Sequence, residues 1–357
     1  LLGIAFASNH IYLYFTESLS GLDEAEHENS RNVVYQYDWD GEKLTNPILI
    51  KELPVIADTT NGYSHHGGVV TKGQNGEVYF VIGDQNQHGV FQNIPSGPIY
   101  ETGSIFKIDT ESDNSVELFA MGIRNSFGLA VDPVTGYLWD TENGSSKFDE
   151  INLVKSGFNS GWERVMGPVD RDNPDIDVAA NKRLSAMLQS VCKKSYDVLF
   201  ASLNIHKYEE RCYQLLILLS NSLFPDHDGT QTIPTTFENF VYSDPEFSFE
   251  RAVAVTTIEF PDKDSFERYS NWLFVGDYNN GRIYNFQLNS DRTGFIFYNQ
   301  KLSDLVLDDN DEVDEILFAK GFQGVTDIKF HDGAMYVVSI GDGSIYKIYP
   351  KNILPPV

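Results

Sequence analysis

Five segments of this chain share one pattern, a run of apolar and aromatic residues that ends in an acidic residue. They begin at residues 12, 78, 138, 273 and 335, so successive starts lie 66, 60, 135 and 62 residues apart. Strand-like segments at such a period are typical of a β-propeller, in which each repeat is a blade that buries its faces against neighbouring blades. The sequence therefore predicts an all-β fold. The longest interval corresponds to about two periods, or to one period and an insertion. The segments are Tyr12–Glu17, Val78–Asp84, Leu138–Glu142, Leu273–Asp277 and Met335–Asp342.

Residues 175–224 break this pattern. They contain no Gly or Pro and carry six Lys or Arg against five Asp or Glu, in a chain whose net charge is −26. Their apolar residues recur at helical spacing, which predicts a helical insertion. The only two cysteines, Cys192 and Cys212, lie inside it, either as a disulfide that joins a helical hairpin or as two buried thiols. The segment is also a candidate surface for a protein partner.

The composition narrows the possible partners and supports the β assignment. Aromatic residues make up 13% of the chain, beside 28 Gly and 14 Pro, as expected for many short strands joined by tight turns. A net charge of −26 repels nucleic acids and anionic membrane surfaces. No apolar run reaches the roughly 20 residues that a membrane-spanning helix needs. We expect an extracellular, periplasmic or cell-surface protein.

Short motifs then follow one another in a recognisable order. In that order they resemble the soluble quinoprotein sugar dehydrogenases, the PQQ-dependent glucose and aldose dehydrogenases. The resemblance covers most of residues 1–168 and 238–349, and it implies a single six-bladed β-propeller over 1–357, with PQQ, Ca²⁺ and an aldose substrate. In that family the run that opens this chain lies well inside the domain, so we expect the natural protein to be longer at its N-terminus. The motifs are Ser64-His-His-Gly-Gly68, Val78–Gln85, Gly122–Leu129, Trp139–Gly144 and Asp149–Leu153.

The resemblance assigns catalysis first to His65 and Asp84. His65 matches the catalytic His of the family, which takes the hydroxyl proton of the sugar as hydride leaves, and imidazole has a pKa suited to that task near neutral pH. Asp84 matches the carboxylate that orients and polarises this His. Gln85 matches a glutamine on the substrate side of the family's site. Without the resemblance, His65 would be read as a structural or surface residue and Asp84 as a turn cap.

The cofactor side of the expected site comes from the next motifs. Arg124 and Asn125 match the pair that contacts the quinone oxygens, where an arginine stabilises oxygens that gain negative charge. Asn143 takes the place of a family Gln beside the cofactor, and Asp149 matches an acidic position near it. The alternative for Arg124 is a solvated turn, against which its apolar continuation argues.

The resemblance also places calcium. Gly144 and Ser145 occupy the positions whose backbone carbonyls bind the cofactor-side Ca²⁺ in the family, although the usual Gly-Pro is here Gly-Ser. Backbone oxygens are suitable ligands for this hard cation, whatever side chain they carry. Glu150 matches a ligand of a second, structural Ca²⁺.

Three positions depart from the family. The Lys that binds the PQQ carboxylates is replaced by Asn279, and two Arg are replaced by Gly324 and Thr326. PQQ carries three carboxylates, and moving them from water into a binding site without cationic partners is costly in free energy. The sequence thus keeps the expected catalytic base and its carboxylate, His65 and Asp84. It lacks the cations that are expected to bind the PQQ carboxylates.

Three functional hypotheses follow. The first is a PQQ- and Ca²⁺-dependent dehydrogenase that oxidises an aldose at C1. The second is a catalytically silent extracellular propeller that binds a sugar or a protein. The third is a propeller hydrolase such as a lactonase, against which the His-Gly-Gly and Arg-Asn motifs argue.

Overall fold

The computed structural model describes residues 2–19, 30–55, 65–86, 92–93, 101–173, 176, 231, 233–234, 236–237, 239–261 and 266–350. The predicted helical insertion lies outside the described residues, apart from the buried Ile176. Both cysteines, and the protein-partner surface expected there, also lie outside them. No helix in the described part of the chain is long and apolar enough to cross a membrane.

The regular secondary structure of the described chain is almost entirely strand. Its helical elements are a short α-helix at Val313–Ile316 and 3₁₀ turns at Glu267–Tyr269 and Gln300–Asp304. The strands, in chain order, are β1 Gly3–Ala7, β2 His10–Ser18, β3 Ser30–Trp39, β4 Leu44–Leu53, β5 Val70–Lys72, β6 Val78–Ile82, β7 Ser104–Asp109, β8 Ser115–Met121, β9 Ser126–Val131, β10 Leu138–Glu142, β11 Lys147–Val154, β12 Phe158–Asn159, β13 Val241–Tyr242, β14 Phe247–Arg251, β15 Val255–Glu259, β16 Trp272–Asp277, β17 Arg282–Gln287, β18 Val306–Leu307, β19 Leu317–Lys320, β20 Val325–His331, β21 Ala334–Ser339 and β22 Ser344–Ile348.

These strands form five sheets. Their orders are β1-β2-β3-β4, β5-β6-β7-β8-β12-β13, β9-β10-β11-β14-β18, β15-β16-β17-β19 and β20-β21-β22. Consecutive strands at the start of each sheet pair antiparallel, whereas the short β12, β13 and β18 add in parallel at outer positions. The five acidic-ended segments become β2, β6, β10, β16 and β21, the second strand of each sheet. The repeat that the sequence predicted is therefore confirmed.

The first strands of the sheets pack against one another in chain order. β1 contacts β5, β5 contacts β9, β9 contacts β15 and β15 contacts β20. This arrangement, with each sheet facing its neighbours around a line of inner strands, is that of propeller blades. The described residues form five such sheets, so the count of six remains a prediction.

The core lies between neighbouring sheets. Side chains from facing sheets interdigitate there; for example, the rings of Phe247 and Phe286 meet edge to face at 4.9 Å, and both are fully buried. Strands that alternate direction bring the ends of all second strands, and the loops that follow them, to one rim. His65 and Arg124 precede the first strands of their sheets and so lie on this same rim.

Candidate active site on one rim

His65 and Asp84 are brought together on this rim. His65 Nδ1 lies 2.6 Å from Asp84 Oδ1, and the two side chains are 13% and 3% exposed. The backbone between them permits this because Gly83 has no Cβ; a Cβ there would lie 2.6 Å from His65 O and 2.7 Å from Arg124 O. The pairing leaves His65 Nε2 as the ring nitrogen able to take a substrate proton.

Trp162, which the sequence did not single out, completes the binding of the carboxylate. Its indole Nε1 donates to Asp84 Oδ2 at 2.7 Å, while the backbone N of Asn86 donates to Oδ1 at 2.8 Å. Burial alone would raise the pKa of Asp84, but the hydrogen bond with His65 and the charges of His65 and Arg124 outweigh it and lower that pKa. Asp84 is therefore a fixed carboxylate that orients His65.

Arg124 lies beside this pair and is itself held from several sides. Its carbonyl accepts from the Asp84 backbone N at 2.9 Å, and its backbone N donates to Glu142 Oε1 at 2.5 Å. Its guanidinium lies 5.4 Å from the centre of the Trp162 ring, within cation–π range. Trp162 thus contacts both the carboxylate that orients the His and the buried cation of the site.

The guanidinium of Arg124 points at two backbone carbonyls. Nη1 donates to Asn143 O at 2.7 Å and to Gly144 O at 2.8 Å. Gly144 O is one of the oxygens that the resemblance assigns to Ca²⁺, so a metal at this oxygen would lie next to Arg124 or displace it. Ser145, the other expected ligand position, is exposed.

The side-chain amides of Asn125 and Asn143 differ in their hydrogen bonds. Asn143 Nδ2 donates to Val255 O at 2.8 Å and to Asn125 O at 3.2 Å, so this side chain ties two loops together. Asn125 Oδ1 is buried and accepts no hydrogen bond from the described residues. Because an unsatisfied buried oxygen is costly, this atom is a position at which a bound group would be stabilised.

Asp149 and Gln85 are bound to backbone. Asp149 Oδ1 accepts from Gly144 N at 2.9 Å, and Oδ2 accepts from Val253 N at 2.8 Å and Val255 N at 3.2 Å. Burial raises the pKa of Asp149 to about 6, against the opposing effect of these backbone bonds. Gln85 is buried and donates from Nε2 to Pro54 O at 2.6 Å. Asp149 shapes the Gly144 loop. The contacts that the resemblance implies at the substrate and cofactor for Gln85, and near the cofactor for Asp149, remain predictions.

Glu150 belongs to a buried group of acids beneath the rim. Ser160 Oγ donates to Glu142 Oε2 at 2.6 Å and lies 3.2 Å from Glu150 Oε2, while Ser126 Oγ donates to Asp140 Oδ2 at 2.5 Å. Burial raises the pKa values of Asp140 and Glu150 to about 7, and burial together with its acidic neighbours raises that of Glu142. Within the described chain no cationic side chain pairs with these three carboxylates.

The comparisons with known proteins agree with this geometry. A family model described as Glucose / Sorbosone dehydrogenase matches residues 1–209, more than half of the chain. The chain belongs to this family. It is 30% identical over 229 residues to quinoprotein glucose dehydrogenase B of Acinetobacter calcoaceticus, covering 54% of this chain and 46% of that protein. It is also 30% identical over 110 residues to the aldose sugar dehydrogenase YliI of Escherichia coli, covering 28% and 29% of the two chains. The resemblance inferred from the motifs is confirmed.

Solved structures extend the likeness over almost the whole chain. A glucose dehydrogenase superposes with a TM-score of 0.62 at 17% identity, covering 98% of this chain and 81% of its own. The PQQ-bound aldose sugar dehydrogenase of Streptomyces coelicolor gives a TM-score of 0.53 at 17% identity, covering 96% and 75%. At this identity the likeness establishes the β-propeller fold. The chain spans less than half the length of the curated relatives that it matches.

The positions at which the sequence predicts a departure from the family lie on the same rim, after β16 and at the start of β20. Asn279 is exposed and donates its backbone N to Val253 O at 3.1 Å. Gly324 adopts a φ of +81°, and a Cβ there would meet the Tyr278 ring at 3.0 Å. Neither these positions nor Thr326 supplies a cation, so the family member described here offers Arg124 alone among its predicted site residues as a positive group.

Trp162 was missed because nothing local marks it as functional. It follows Gly161, whose φ of +102° turns the chain after β12, and an aromatic residue beside a turn is expected to be a core residue before it is expected to be a site residue. Its contact with Asp84 joins residues 78 positions apart. In the sequence, Glu142 is marked only as the acidic end of a repeat, and nothing marks Asp140 as a functional residue.

Proposed function

We propose that this protein oxidises an aldose at C1, with PQQ as the hydride acceptor and Ca²⁺ beside it. Membership of the glucose and sorbosone dehydrogenase family supports the reaction class. The observation that carries the proposal is the His65–Asp84–Trp162 chain of hydrogen bonds, at 2.6 and 2.7 Å, beside the buried Arg124. This arrangement supplies a base with a fixed tautomer next to a fixed positive charge.

His65 acts as the general base. With Nδ1 bound by Asp84, Nε2 accepts the proton of the C1 hydroxyl while the C1 hydride leaves and the C1–O double bond forms, which gives the lactone. Asp84 stabilises the imidazolium that results, because its carboxylate stays charged and hydrogen-bonded. Trp162 keeps Asp84 Oδ2 occupied and so directs Oδ1 to His65.

The reactive end of PQQ fits the residues that are present. Arg124 and Asn125 would contact its quinone oxygens, and Gly144 O would be a calcium ligand. PQQ, when bound, would supply a quinone that accepts the hydride of the sugar and with it both electrons. Asn125 Oδ1, buried and unbonded within the described chain, is an acceptor and marks a place for a donor hydroxyl or a cation, whereas the quinone oxygens would contact Asn125 through Nδ2.

The carboxylate end of PQQ fits less well. With Asn279, Gly324 and Thr326 in place of cations, charge-assisted bonds worth roughly 1.5–3 kcal/mol each are missing. A net charge of −26 adds long-range repulsion of an anionic cofactor. We therefore expect weak PQQ binding that needs excess Ca²⁺.

Reconstitution tests the proposal. The protein is titrated with PQQ in excess Ca²⁺, and dye reduction is followed with glucose and other aldoses. His65→Ala should lower turnover about 10²–10⁴-fold, the usual contribution of a general base, and should leave the PQQ affinity in place. His331→Ala is the matched control, because His331 is 74% exposed and ends β20 on the opposite rim. Equal turnover of the His65 variant and the parent would remove His65 from the mechanism.

The second candidate is a silent propeller of the same family that binds a sugar without oxidising it. The uncharged residues at the three anchor positions favour it. The test uses PQQ concentrations high enough to overcome the weak binding of its carboxylates. If the protein then binds sugar but reduces no dye, the silent propeller is the supported function.

A further inference from the structure

The turn that carries His65 has an uncommon backbone conformation. Residues 65–68, which we call the His65 turn, come just before β5. His65 has a φ of +58°, in the left-handed region that residues other than glycine uncommonly adopt, and Gly67 and Gly68 follow with φ values of +65° and +106°. A Cβ at Gly67 would clash with Val81 O. Because glycine restricts its own backbone little, contacts with other segments must fix the direction in which His65 points.

Tyr14, in β2, holds the peptide bond that follows His66. Its hydroxyl donates to His66 O at 2.9 Å, and its side chain is fully buried. Burial raises the pKa of Tyr14 above its usual range, so the hydroxyl keeps its proton and remains a donor. The Tyr14 ring lies edge-on to the Phe80 ring, with 6.1 Å between their centres. Rotation of the peptide after His66 would leave a buried hydroxyl without its acceptor, which is costly.

Asn32, in β3, holds the ring of His66. The Asn32 side chain is fully buried. Its Oδ1 accepts from Thr16 Oγ1 at 2.8 Å, so Nδ2 is the donor toward Pro54 O and His66 Nδ1, each at 3.1 Å. The amide therefore binds a His66 ring whose Nδ1 carries no proton. Together with Tyr14, this fixes both the backbone and the side chain of the residue after His65.

One carbonyl joins these contacts to the loop of Asp84. Pro54 O accepts from Asn32, and it also accepts from Gln85 Nε2 at 2.6 Å. Gln85 comes directly after Asp84. A displacement of about 1 Å in either loop would lengthen the 2.6 Å between His65 Nδ1 and Asp84 Oδ1 beyond hydrogen-bond range. The contacts of Asn32 therefore bear on both loops that supply this pair.

We propose that Tyr14 and Asn32 are positioning residues for His65, because they fix the turn from which its ring reaches Asp84. The inference rests on the proposed function for the role of His65 as the base. Its structural part needs no cofactor. With Nδ1–H bound by Asp84, the neutral ring has its lone pair on Nε2. In a neutral ring that is not held, either nitrogen can carry the proton.

Nitrogen NMR of the histidine rings tests the inference in protein without PQQ. The His65 signal is assigned by its loss in His65→Ala, and spectra are recorded at a pH at which the ring is neutral. The parent should carry the His65 proton on Nδ1, whereas Tyr14→Phe and Asn32→Leu should each show a mixture of the two tautomers. In the reconstituted dye assay both variants should lose about 10–100-fold in turnover. KM should be unchanged, as expected when an interaction is lost from the transition state alone.

The same two strands supply matched controls. Tyr12, in β2, is also fully buried and donates to Asn114 Oδ1 at 2.9 Å, while Gln36, in β3, accepts from Asn114 Nδ2 at 2.6 Å. Asn114 lies just before β8 on the opposite rim, so Tyr12→Phe and Gln36→Leu remove comparable hydrogen bonds away from the His65 turn. Both controls should keep the tautomer and the turnover of the parent.

The outcomes separate this inference from the proposed function. A single His65 tautomer in Tyr14→Phe or in Asn32→Leu would overturn the role of the residue replaced, and a mixture that the controls also show would overturn both. Mixed tautomers in those two variants alone would support positioning of the ring even if no sugar reduces the dye. Mixed tautomers with unchanged turnover would overturn the role of His65 as the base. If Asn32→Leu does not fold, Tyr14→Phe and Tyr12→Phe decide the test.

Discussion

Replacing Trp162 by Phe tests the hydrogen bond on which the candidate site depends. The change keeps an aromatic ring in a position that is 1% exposed but removes the donor that lies 2.7 Å from Asp84 Oδ2. Asp84 is 3% exposed, so water cannot readily replace the lost donor. A hydrogen bond to a charged group contributes roughly 1.5–3 kcal/mol, and we expect the free energy of unfolding to fall by about that amount beyond the loss of packing.

The chain offers a matched control for the loss of packing. Trp139 is fully buried, and its Nε1 has no hydrogen-bond partner in the described chain. Trp139→Phe therefore removes the same atoms from a core position without breaking a hydrogen bond, and it also removes an unsatisfied donor. The difference between the two variants therefore reports the bond to Asp84 together with two further effects, the relief of the unsatisfied Trp139 donor and the altered contact of Arg124 with the ring at 162.

Urea unfolding of both variants, followed by intrinsic fluorescence and circular dichroism at neutral pH, measures this difference. Trp162→Phe should be the less stable by roughly 1.5–3 kcal/mol, and its turnover in the reconstituted assay should fall because Asp84 is no longer held toward His65. Equal destabilisation of the two variants, with equal turnover, would refute the claim that Trp162 binds and orients Asp84.

Three further predictions concern charge. Asp84→Asn should lower turnover about 100-fold or more by removing the charge that stabilises the His65 imidazolium, which steady-state dye reduction with unchanged folding by circular dichroism would check. Asn279→Lys should tighten PQQ binding about ten-fold or more in calorimetric titration with Ca²⁺, and an unchanged affinity would show that this position does not face the cofactor. Burial raises the folded pKa values of Asp140 and Glu150 to about 7, so the folded state binds more protons than the unfolded chain between about pH 4 and pH 7. Stability should therefore fall as pH rises through that range, and in urea unfolding Asp140→Asn should flatten the slope; a slope that the variant leaves unchanged would contradict this.

The local pattern predicted the strands because it depends on neighbouring residues alone. Alternating apolar residues and an acidic end identified β2, β6, β10, β16 and β21, and the structure places all five in the second position of their sheets. The pairing of His65 with Asp84 followed from motifs 19 positions apart. These contacts lie within one sheet or at its edge, where chain order limits the possible neighbours.

Contacts between segments far apart in the chain were not predictable in this way. Trp162 meets Asp84 across 78 positions, and Asp149 meets Val253 across 104. Such pairs depend on distant strands that join the same sheet, β12 beside β8 and β14 beside β11, and the sequence pattern of either segment does not contain that information. The role of Asp149 as a backbone acceptor therefore needed the structure.

The acidic strand ends explain how a common scaffold can carry a site that departs from its family. Asp84 accepts from the backbone of Asn86, Glu142 from that of Arg124, and Asp277 from that of Asn280 at 2.7 Å. Asp84 and Asp277 thus fix the first residues of their own rim loops, and Glu142 fixes the loop before β9, through backbone N–H groups, which any residue except proline supplies. The acids of the first and last repeats, Glu17 and Asp342, bind the side chains of Arg31 and Tyr346 instead. The side chains of those loops are free of this constraint. The side chain at a loop position such as Asn279 can consequently change without cost to the blade or to the His65–Asp84 pair.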